Sequence, residues 1–501
     1  MTRTALIIGG GIAGPVTAMA LQKAGIDAVV YEAHPARADG AGGGFSLAPN
    51  GLAALDALGL GDLVRPAGRD ITAYVLQDWK GRSLAEFGNP PGVAPMQFFY
   101  RSDLYRALHE EAARRGIRIE FGKRLTGVRE EPGAVTALFD DGTEATADLL
   151  VGADGIRSLV RELIDPQAPA PQYAGLISFG ATVSDPAAAT TQGRMPMVLG
   201  KHAFFGYQVF DDGTAGWFAN LPMDRPLSAA EARQTPPAEW LRRLAAAFAE
   251  DRTPATRLIG RTNPDDLLVV GAMESMPSVP VWHRGRIVLV GDSAHAPSSS
   301  SGQGASLAVE SAVDLARCLR DYPAPEDAFA AYEAMRRPRV ERIAKEAARK
   351  NNAKSAGPVG RVLMGVAIRL FARLSNPKKA AWMLHYKIDW DAPAVPANTV
   401  PATAGPASAA QPVALPGPLS CHPIGRHDSA APIGHPVCWV SPGPDPAAAR
   451  AYRPARRLRP VLRGLRGGLG CPGPVTGPGD PGLADPHRRG QMTDTAQSPP
   501  A

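Results

Sequence analysis

The sequence predicts an α/β chain of composite (α+β) type: a parallel-sheet domain interrupted by an antiparallel insert, then C-terminal helices and a long tail without a core. Three observations predict it. Strand and helix signals alternate over residues 1–170 and return over 276–350. Over 171–275, short alternating runs such as Ala203 to Phe210 and Gly216 to Leu221 are separated by Asp-Asp-Gly and Pro turns, the pattern of an antiparallel sheet. From 392 to 501 no period remains.

Taken in order, Ala5-Leu6-Ile7-Ile8 is an apolar run suited to a strand buried on both faces. It runs into Gly9, Gly11 and Gly14 at Gly-x-Gly-x-x-Gly spacing, then into a helix from Pro15 to Ala24. A second strand, Ala28 to Tyr31, ends at Glu32 and Ala33. This is a dinucleotide fingerprint in a Rossmann-like unit. Gly9 allows the tight turn, Gly11 lets a pyrophosphate approach, and Gly14 lets helix and strand close up. Ile12 and Ala13, within the fingerprint, are cofactor-binding candidates with its glycines, and the helix that follows offers free N–H groups and a positive dipole end to phosphate. Glu32 is placed to accept from a ribose diol. Arg101 to Arg115 reads as a helix with Leu104, Leu108 and Ala112 on one face, and strands follow at Ile117 to Phe121, Ala134 to Phe139 and Asp148 to Ala153. After the insert, Arg286 to Val290 is a strand, Gly304 to Arg320 and Ala328 to Lys350 are helices, and residues 351–391 hold C-terminal helices, among them the basic amphipathic stretch Gly360 to Leu374.

The tail 392–501 is expected to be disordered. It holds 22 of the 49 prolines, ten arginines and five aspartates, with no lysine or glutamate. Residues 1–391 therefore carry 44 basic and 43 acidic residues, and a nearly neutral body argues against nucleic acid as partner. Three of the four cysteines lie in the tail, so neither a disulfide framework nor a metal site is expected. No run reaches the roughly 18 apolar residues of a membrane span, and the glycine-rich start lacks a signal-peptide cleavage pattern. A cytoplasmic location is expected.

Two further motifs turn a dinucleotide into a flavin. Gly291-Asp292-Ser293-Ala294-His295 ends a buried strand, where an aspartate can hold ribityl hydroxyls. Gly302-Gln303-Gly304-Ala305-Ser306 opens a helix whose N–H groups can face a flavin pyrimidine ring and stabilise its reduced, negative form.

With these in place the chain resembles the para-hydroxybenzoate hydroxylase type of flavoprotein monooxygenases, the group A FAD-dependent aromatic-ring hydroxylases. The resemblance spans about residues 1–391. Gly9 to Gly14 with Glu32 resembles that family's ADP site. Arg101-Ser102-Asp103-Leu104 resembles its Arg-x-x-Leu motif, and Ala153 to Ser158, with Asp154 and Gly155, the motif linked to both FAD and NAD(P)H. Gly291-Asp292 with Gly302-Gln303-Gly304 resembles its second FAD motif. Ser299 stands where many members have proline, Ser306 where many have asparagine, and Ser311 where aspartate is usual. The resemblance implies FAD as cofactor, NADPH or NADH as reductant, and hydroxylation of an aromatic or polycyclic, polyketide-like substrate by one atom of O2 through a flavin C4a-hydroperoxide. The chemistry is flavin-centred, so no catalytic side chain is singled out. His202, Phe205, Tyr207 and Trp217, on the insert that would roof the flavin, are the substrate-pocket candidates.

Rival readings share the fold: an epoxidase or Baeyer–Villiger oxygenase, a flavin reductase, or a flavin-binding protein without turnover. Ser293 and His295 do not make a hydrolase, since no Gly-x-Ser-x-Gly elbow exists. A flavin halogenase is disfavoured by the absence of Trp-x-Trp.

Overall fold

The computed structural model describes residues 3–36, 43–185, 187–354 and 378–395. The helix expected over Gly360 to Leu374 and the tail beyond 395 lie outside these residues.

The Rossmann-like expectation holds. A six-stranded sheet runs in the spatial order His283–Arg284, Ile287–Leu289, Leu149–Gly152, Thr4–Ile8, Asp27–Glu32, Arg118–Phe121. The central pairings are parallel, and only the edge strand His283–Arg284 is antiparallel. Because helices cover both faces, the inner strands are apolar throughout: Ala5 to Ile8 and Leu149 to Val151 are buried. The first helix, Ala13–Lys23, and the helix Gly304–Asp321 share this core with Phe329 and Tyr332 of the long helix Pro325–Lys354.

The insert forms a second sheet with its own core, but it is not built from 171–275 alone. Its seven strands run Leu268–Ser275, Gln172–Ser184, Thr214–Pro222, Phe204–Val209, Arg194–Leu199, Ala73–Asp78, Ser83–Gly88. The last two come from the N-terminal segment, and Ala73–Asp78 joins by a parallel pairing with Arg194–Leu199. The expected boundary at 171 therefore misassigns residues 73–88. No local pattern announces a pairing between segments more than a hundred residues apart.

Strand register gives this sheet two distinct faces. Phe179, Phe205, Tyr207, Trp217 and Ala219 pack outward against helices Pro237–Ala247 and Ala255–Gly260, around Trp240, Leu244 and Phe248. The opposite face turns to the first domain. There Met195 with Tyr74, Met197 and Phe218 joins Ala48, Met96, Phe98 and Leu384 in a third apolar cluster. A C-terminal strap completes the body. Helix Lys378–Leu384 leads into a segment whose Ala392 carbonyl accepts from Arg317 Nη2 at 2.9 Å and Arg320 Nη2 at 3.0 Å. Among the described residues no helix is long and apolar enough to cross a membrane.

Candidate active site

Each fingerprint glycine has its own reason. Gly9 has φ +106°, and a Cβ there would lie 2.4 Å from the Ala153 carbonyl oxygen. A Cβ on Gly14 would lie 1.9 Å from the Gly9 carbonyl oxygen, so a larger residue forces helix and strand apart. A Cβ on Gly11 would meet nothing within 4 Å, which leaves its backbone open to the cleft. Glu32 closes the turn. Its Oε2 accepts from Gly10 N–H at 2.6 Å and its Oε1 from His34 N–H at 2.9 Å, with Ala33 between. The carboxylate thus holds the loop while keeping lone pairs for a ribose.

The two glycine-rich helix starts come together although some 290 residues separate them in sequence. A Cβ on Gly291, whose φ is +66°, would lie 3.1 Å from the Ala13 Cβ and 3.2 Å from the Ala308 Cβ. Helix Ala13–Lys23 and helix Gly304–Asp321 thus face each other across Gly291, and Ile12 precedes the first of them. Gly302 (φ +63°) has open space where a side chain would stand, and a Cβ on Gly304 would come no closer than 4.0 Å to Asp292 Oδ1. Ala305 is half-buried beside it. Asp292 is exposed in this cleft, although protein surrounds it on its other sides. That enclosure raises its carboxyl to about 6, against the lowering pull of the Arg101 guanidinium. Arg101 opens helix Arg101–Arg114 and is itself exposed.

Three expected residues do something else, or something more. Ser306 is fully buried and its Oγ accepts from Ala48 N–H at 3.0 Å, so it clamps the loop before helix Pro49–Asp56, leaving only its backbone N–H for a cofactor. Asp154 turns into its own loop. Its Oδ1 accepts from Ser158 Oγ at 2.5 Å and its Oδ2 from Val160 N–H at 3.1 Å. Burial raises its pKa, and these bonds oppose the rise. Gly155, with φ +80°, faces open space. His295 is buried and donates to, or accepts from, Ser311 Oγ at 2.8 Å. Burial, with the nearby Arg336 cation second, pushes its pKa down to about 3, so it stays neutral. Ser293 Oγ bonds the Gly152 and Val290 carbonyls, so Ser293 and His295 face different partners.

The substrate-pocket candidates are corrected. Phe205 stacks on Trp217, with ring centroids 5.6 Å apart, and meets Phe248 edge-on. Tyr207 belongs to the same outward core. These three lie on the helix-covered face, away from the cleft. His202 is exposed, 3.4 Å from Glu250 Oε1. Alternation along these strands does not say which face helices cover, because both faces carry aromatic residues.

Sequence reasoning also missed a buried polar relay beneath the second flavin motif. Asn50 Nδ2 donates to Glu310 Oε1 at 2.6 Å and to Gln303 Oε1 at 2.9 Å. The carboxylate thereby dictates which way both amides point. Asn50 Oδ1 and Gln303 Nε2, an acceptor and a donor, remain buried without partners. Glu310 also takes Arg336 Nη2 at 2.7 Å and Arg339 Nη2 at 2.8 Å. Burial alone would raise its pKa, but Arg336, Arg339 and Asn50 together hold it below the usual carboxylate range. Arg336 reaches Asp314 as well, at 3.4 Å, and Ser311 Oγ at 3.3 Å. An acid one turn beyond Ser311 thus serves the same arginine. No pattern search finds this relay, since its members lie at 50, 303, 310 and 336.

These features fit FAD: open backbone at Gly11 and Gly304, a guanidinium and a carboxylate facing one cleft, and an unpaired donor and acceptor beside a helix start. Comparison with known proteins agrees. A family model described as "FAD binding domain" matches residues 2–347. An aurachin C monooxygenase/isomerase of Stigmatella aurantiaca is 32% identical over 342 residues, 66% of this chain and 85% of that protein. The salicylate hydroxylase of Pseudomonas putida is 32% identical over 371 residues, 67% of this chain and 82% of that protein. The structure of Klebsiella pneumoniae HpxO complexed with FAD and uric acid superposes with a TM-score of 0.68 at 26% identity, over 76% of this chain and 97% of that one. The chain is a FAD-dependent monooxygenase and belongs to the group A aromatic-hydroxylase family of flavoproteins.

Proposed function

We propose that the chain holds one FAD, non-covalently, along the line from Glu32 through Gly11 and Arg101 to Asp292 and Gly304. In this reading NADPH or NADH serves as reductant and the enzyme hydroxylates an aromatic small molecule with O2. The observation that carries it is the meeting of two glycine-rich helix starts at Gly291, with Asp292 and Arg101 on the same cleft.

When bound, FAD supplies the redox chemistry: it takes two electrons from NAD(P)H and activates O2 for transfer of one oxygen atom. The chain's own residues bind, orient and shield. Arg101 and the N–H groups behind Gly11 and Ile12 neutralise the pyrophosphate. Asp292 accepts from ribityl hydroxyls. The first N–H groups of helix Gly304–Asp321 present a positive dipole end to the pyrimidine edge. The Gln303 amide, tied through Asn50 to Glu310, would steady this helix start for the cofactor. The inward face of the insert keeps water from the reacting atoms.

The purified protein should be yellow, release about one FAD on acid precipitation, and oxidise NAD(P)H in air faster with an aromatic substrate, giving a product heavier by one oxygen in mass spectrometry. A folded, colourless protein that cannot be reconstituted with FAD sinks the reading.

Asp292→Ala should lower FAD affinity roughly 10- to 150-fold, the worth of a charge-assisted hydrogen bond of about 1.5–3 kcal/mol. Since the charged carboxylate is the better acceptor, wild-type apoprotein should lose affinity as pH falls through about 6, and the variant should lose that slope. Titrating apoprotein with FAD between pH 5 and 8 checks both.

Asp154→Ala should act first on structure. Its carboxylate caps helix Leu159–Ile164 through Val160 N–H, so the loss should be about 1–2 kcal/mol of stability. If the loop also receives NAD(P)H, stopped-flow flavin reduction slows in the same variant. An unchanged reduction rate removes Asp154 from that role.

A further inference from the structure

Within the FAD reading above, we propose that His109 is a positioning residue for the cofactor: by holding the Gly10 carbonyl it turns the Gly11 N–H outward as a donor to the FAD pyrophosphate. His109 lies on helix Arg101–Arg114 and is 1% exposed. Its Nε2 stands 2.7 Å from the Gly10 carbonyl oxygen. A carbonyl oxygen only accepts, so the ring nitrogen donates and Nε2 carries the proton.

The effect follows from which peptide is held. Glu32 accepts from the Gly10 N–H at 2.6 Å, which fixes the peptide between Gly9 and Gly10. The Gly10 carbonyl belongs to the next peptide, between Gly10 and Gly11, and His109 fixes that one. In a planar trans peptide the C=O and the N–H that follows it point in opposite directions. Gly10 is buried and Gly11 half-buried, with nothing within 4 Å of where a Gly11 Cβ would stand. With the oxygen drawn inward to the helix, the Gly11 N–H faces the open side of the turn. The need for such a hold is local. Three consecutive glycines have no Cβ to resist rotation of the peptides between them. Were the Gly10–Gly11 peptide to turn over, a carbonyl oxygen would face the phosphates and repel them.

The imidazole is itself held. It stacks on Tyr105, one turn earlier, with centroids 3.8 Å apart, and the Phe121 ring lies 6.0 Å away. Leu104 and Leu108 of the same helix are fully buried in the main core. Arg101 opens this helix eight residues before His109, about 12 Å along the axis. One rigid element thus brings a guanidinium to the cleft beside Asp292 and sets the direction of a backbone donor at the fingerprint.

The test titrates apoprotein with FAD for wild type, His109→Phe, His109→Asn and His109→Gln. Phenylalanine keeps a ring on Tyr105 without the donor, the asparagine amide is one methylene too short, and the glutamine amide reaches the place of Nε2. The first two variants should bind FAD roughly 10- to 150-fold more weakly, the worth of one charge-assisted hydrogen bond. His109→Gln should bind nearly as wild type does. Phosphorus NMR of the loaded proteins supplies a readout that a change of stability alone does not move. In His109→Phe and His109→Asn a pyrophosphate resonance of bound FAD should shift while the visible flavin spectrum stays the same, and His109→Gln should return it. Apoprotein melting temperatures report folding, and the Asn and Gln pair decides if His109→Phe fails to fold. Wild-type affinity with an unmoved phosphorus spectrum in His109→Phe or His109→Asn overturns the proposal. So does a His109→Gln that binds no better than His109→Asn, or loss of the apo fold in both His109→Phe and His109→Asn. Failure of the FAD reading looks different: wild type itself takes up no FAD.

Discussion

Glu310→Leu should destabilise the protein by about 3–5 kcal/mol, the usual effect of removing one partner of a buried ion pair. Glu310 and Arg336 are both fully buried, 2.7 Å apart. Without the carboxylate, Arg336 keeps Ser311 Oγ at 3.3 Å and one acid, Asp314 at 3.4 Å, which it shares with Arg317. The melting temperature should fall on the order of 5–15 °C. Glu310→Leu with Arg336→Leu should recover part of the loss, because the orphaned charge goes with its partner. The pH dependence has a fixed sign. Arg336, Arg339 and Asn50 hold Glu310 below the ordinary glutamate value of 4.5. Its contribution is therefore full above that value and is lost as pH falls through the lower, folded pKa. Wild type and variant should converge in stability in acid and differ most near neutrality. FAD affinity should fall as well, since the freed Asn50 amide no longer orients Gln303. Thermal unfolding of apo and loaded proteins separates the two effects. Equal melting temperatures across the pH range would mean that this relay contributes nothing.

Most of the cofactor end was legible in the sequence because its constraints are local. Gly9 and Gly14 are required by contacts of 2.4 and 1.9 Å that no side chain could share, and Gly291 by its φ of +66°, and such needs leave glycine at fixed spacing. Asp292 sits at a strand end for the same kind of reason. The substrate end was not legible in this way. Alternation in Phe204 to Val209 shows that two faces exist but not which one a helix covers. Here Trp240 and Phe248 cover the face of Phe205 and Trp217, and the opposite face carries Phe218 and Gln208 instead. The joining of Ala73–Asp78 to the insert, and the convergence of Asn50, Glu310 and Arg336, are contacts between distant segments with no periodic trace. Ser306 and Asp154 bond Ala48, Ser158 and Val160, and residue type alone cannot distinguish such bonds from bonds to a ligand.

Cutting the chain after Val395 should leave FAD content, melting temperature and substrate-dependent NAD(P)H oxidation intact, whereas cutting after Pro377 should abolish stable FAD loading. The sequence places the end of the functional unit at Asp391, and the structure moves it four residues on. Ala394 is 2% exposed, and its N–H donates to Asp321 Oδ2 at 2.7 Å. The Ala392 carbonyl takes both Arg317 and Arg320. A cut after Asp391 removes four hydrogen bonds to charged groups, Arg317 to the Pro393 carbonyl among them, each worth about 1.5–3 kcal/mol, and should show a lowered melting temperature with activity still measurable. The cut after Pro377 goes further. It strips Leu384 from the cluster with Ala48, Met96 and Met195, and Ile388 from the main core. It also leaves Arg339 without the Met383 carbonyl, which it meets at 2.8 Å. Since Arg339 is one of the cations holding Glu310, the damage passes to the relay under the flavin motif. Beyond 395 the sequence is proline- and arginine-rich without apolar period, and no part in FAD loading or catalysis is expected of it. A cut after Val395 that lost activity would show that the tail completes the site; a cut after Pro377 that still loaded FAD would show that the strap is not part of it.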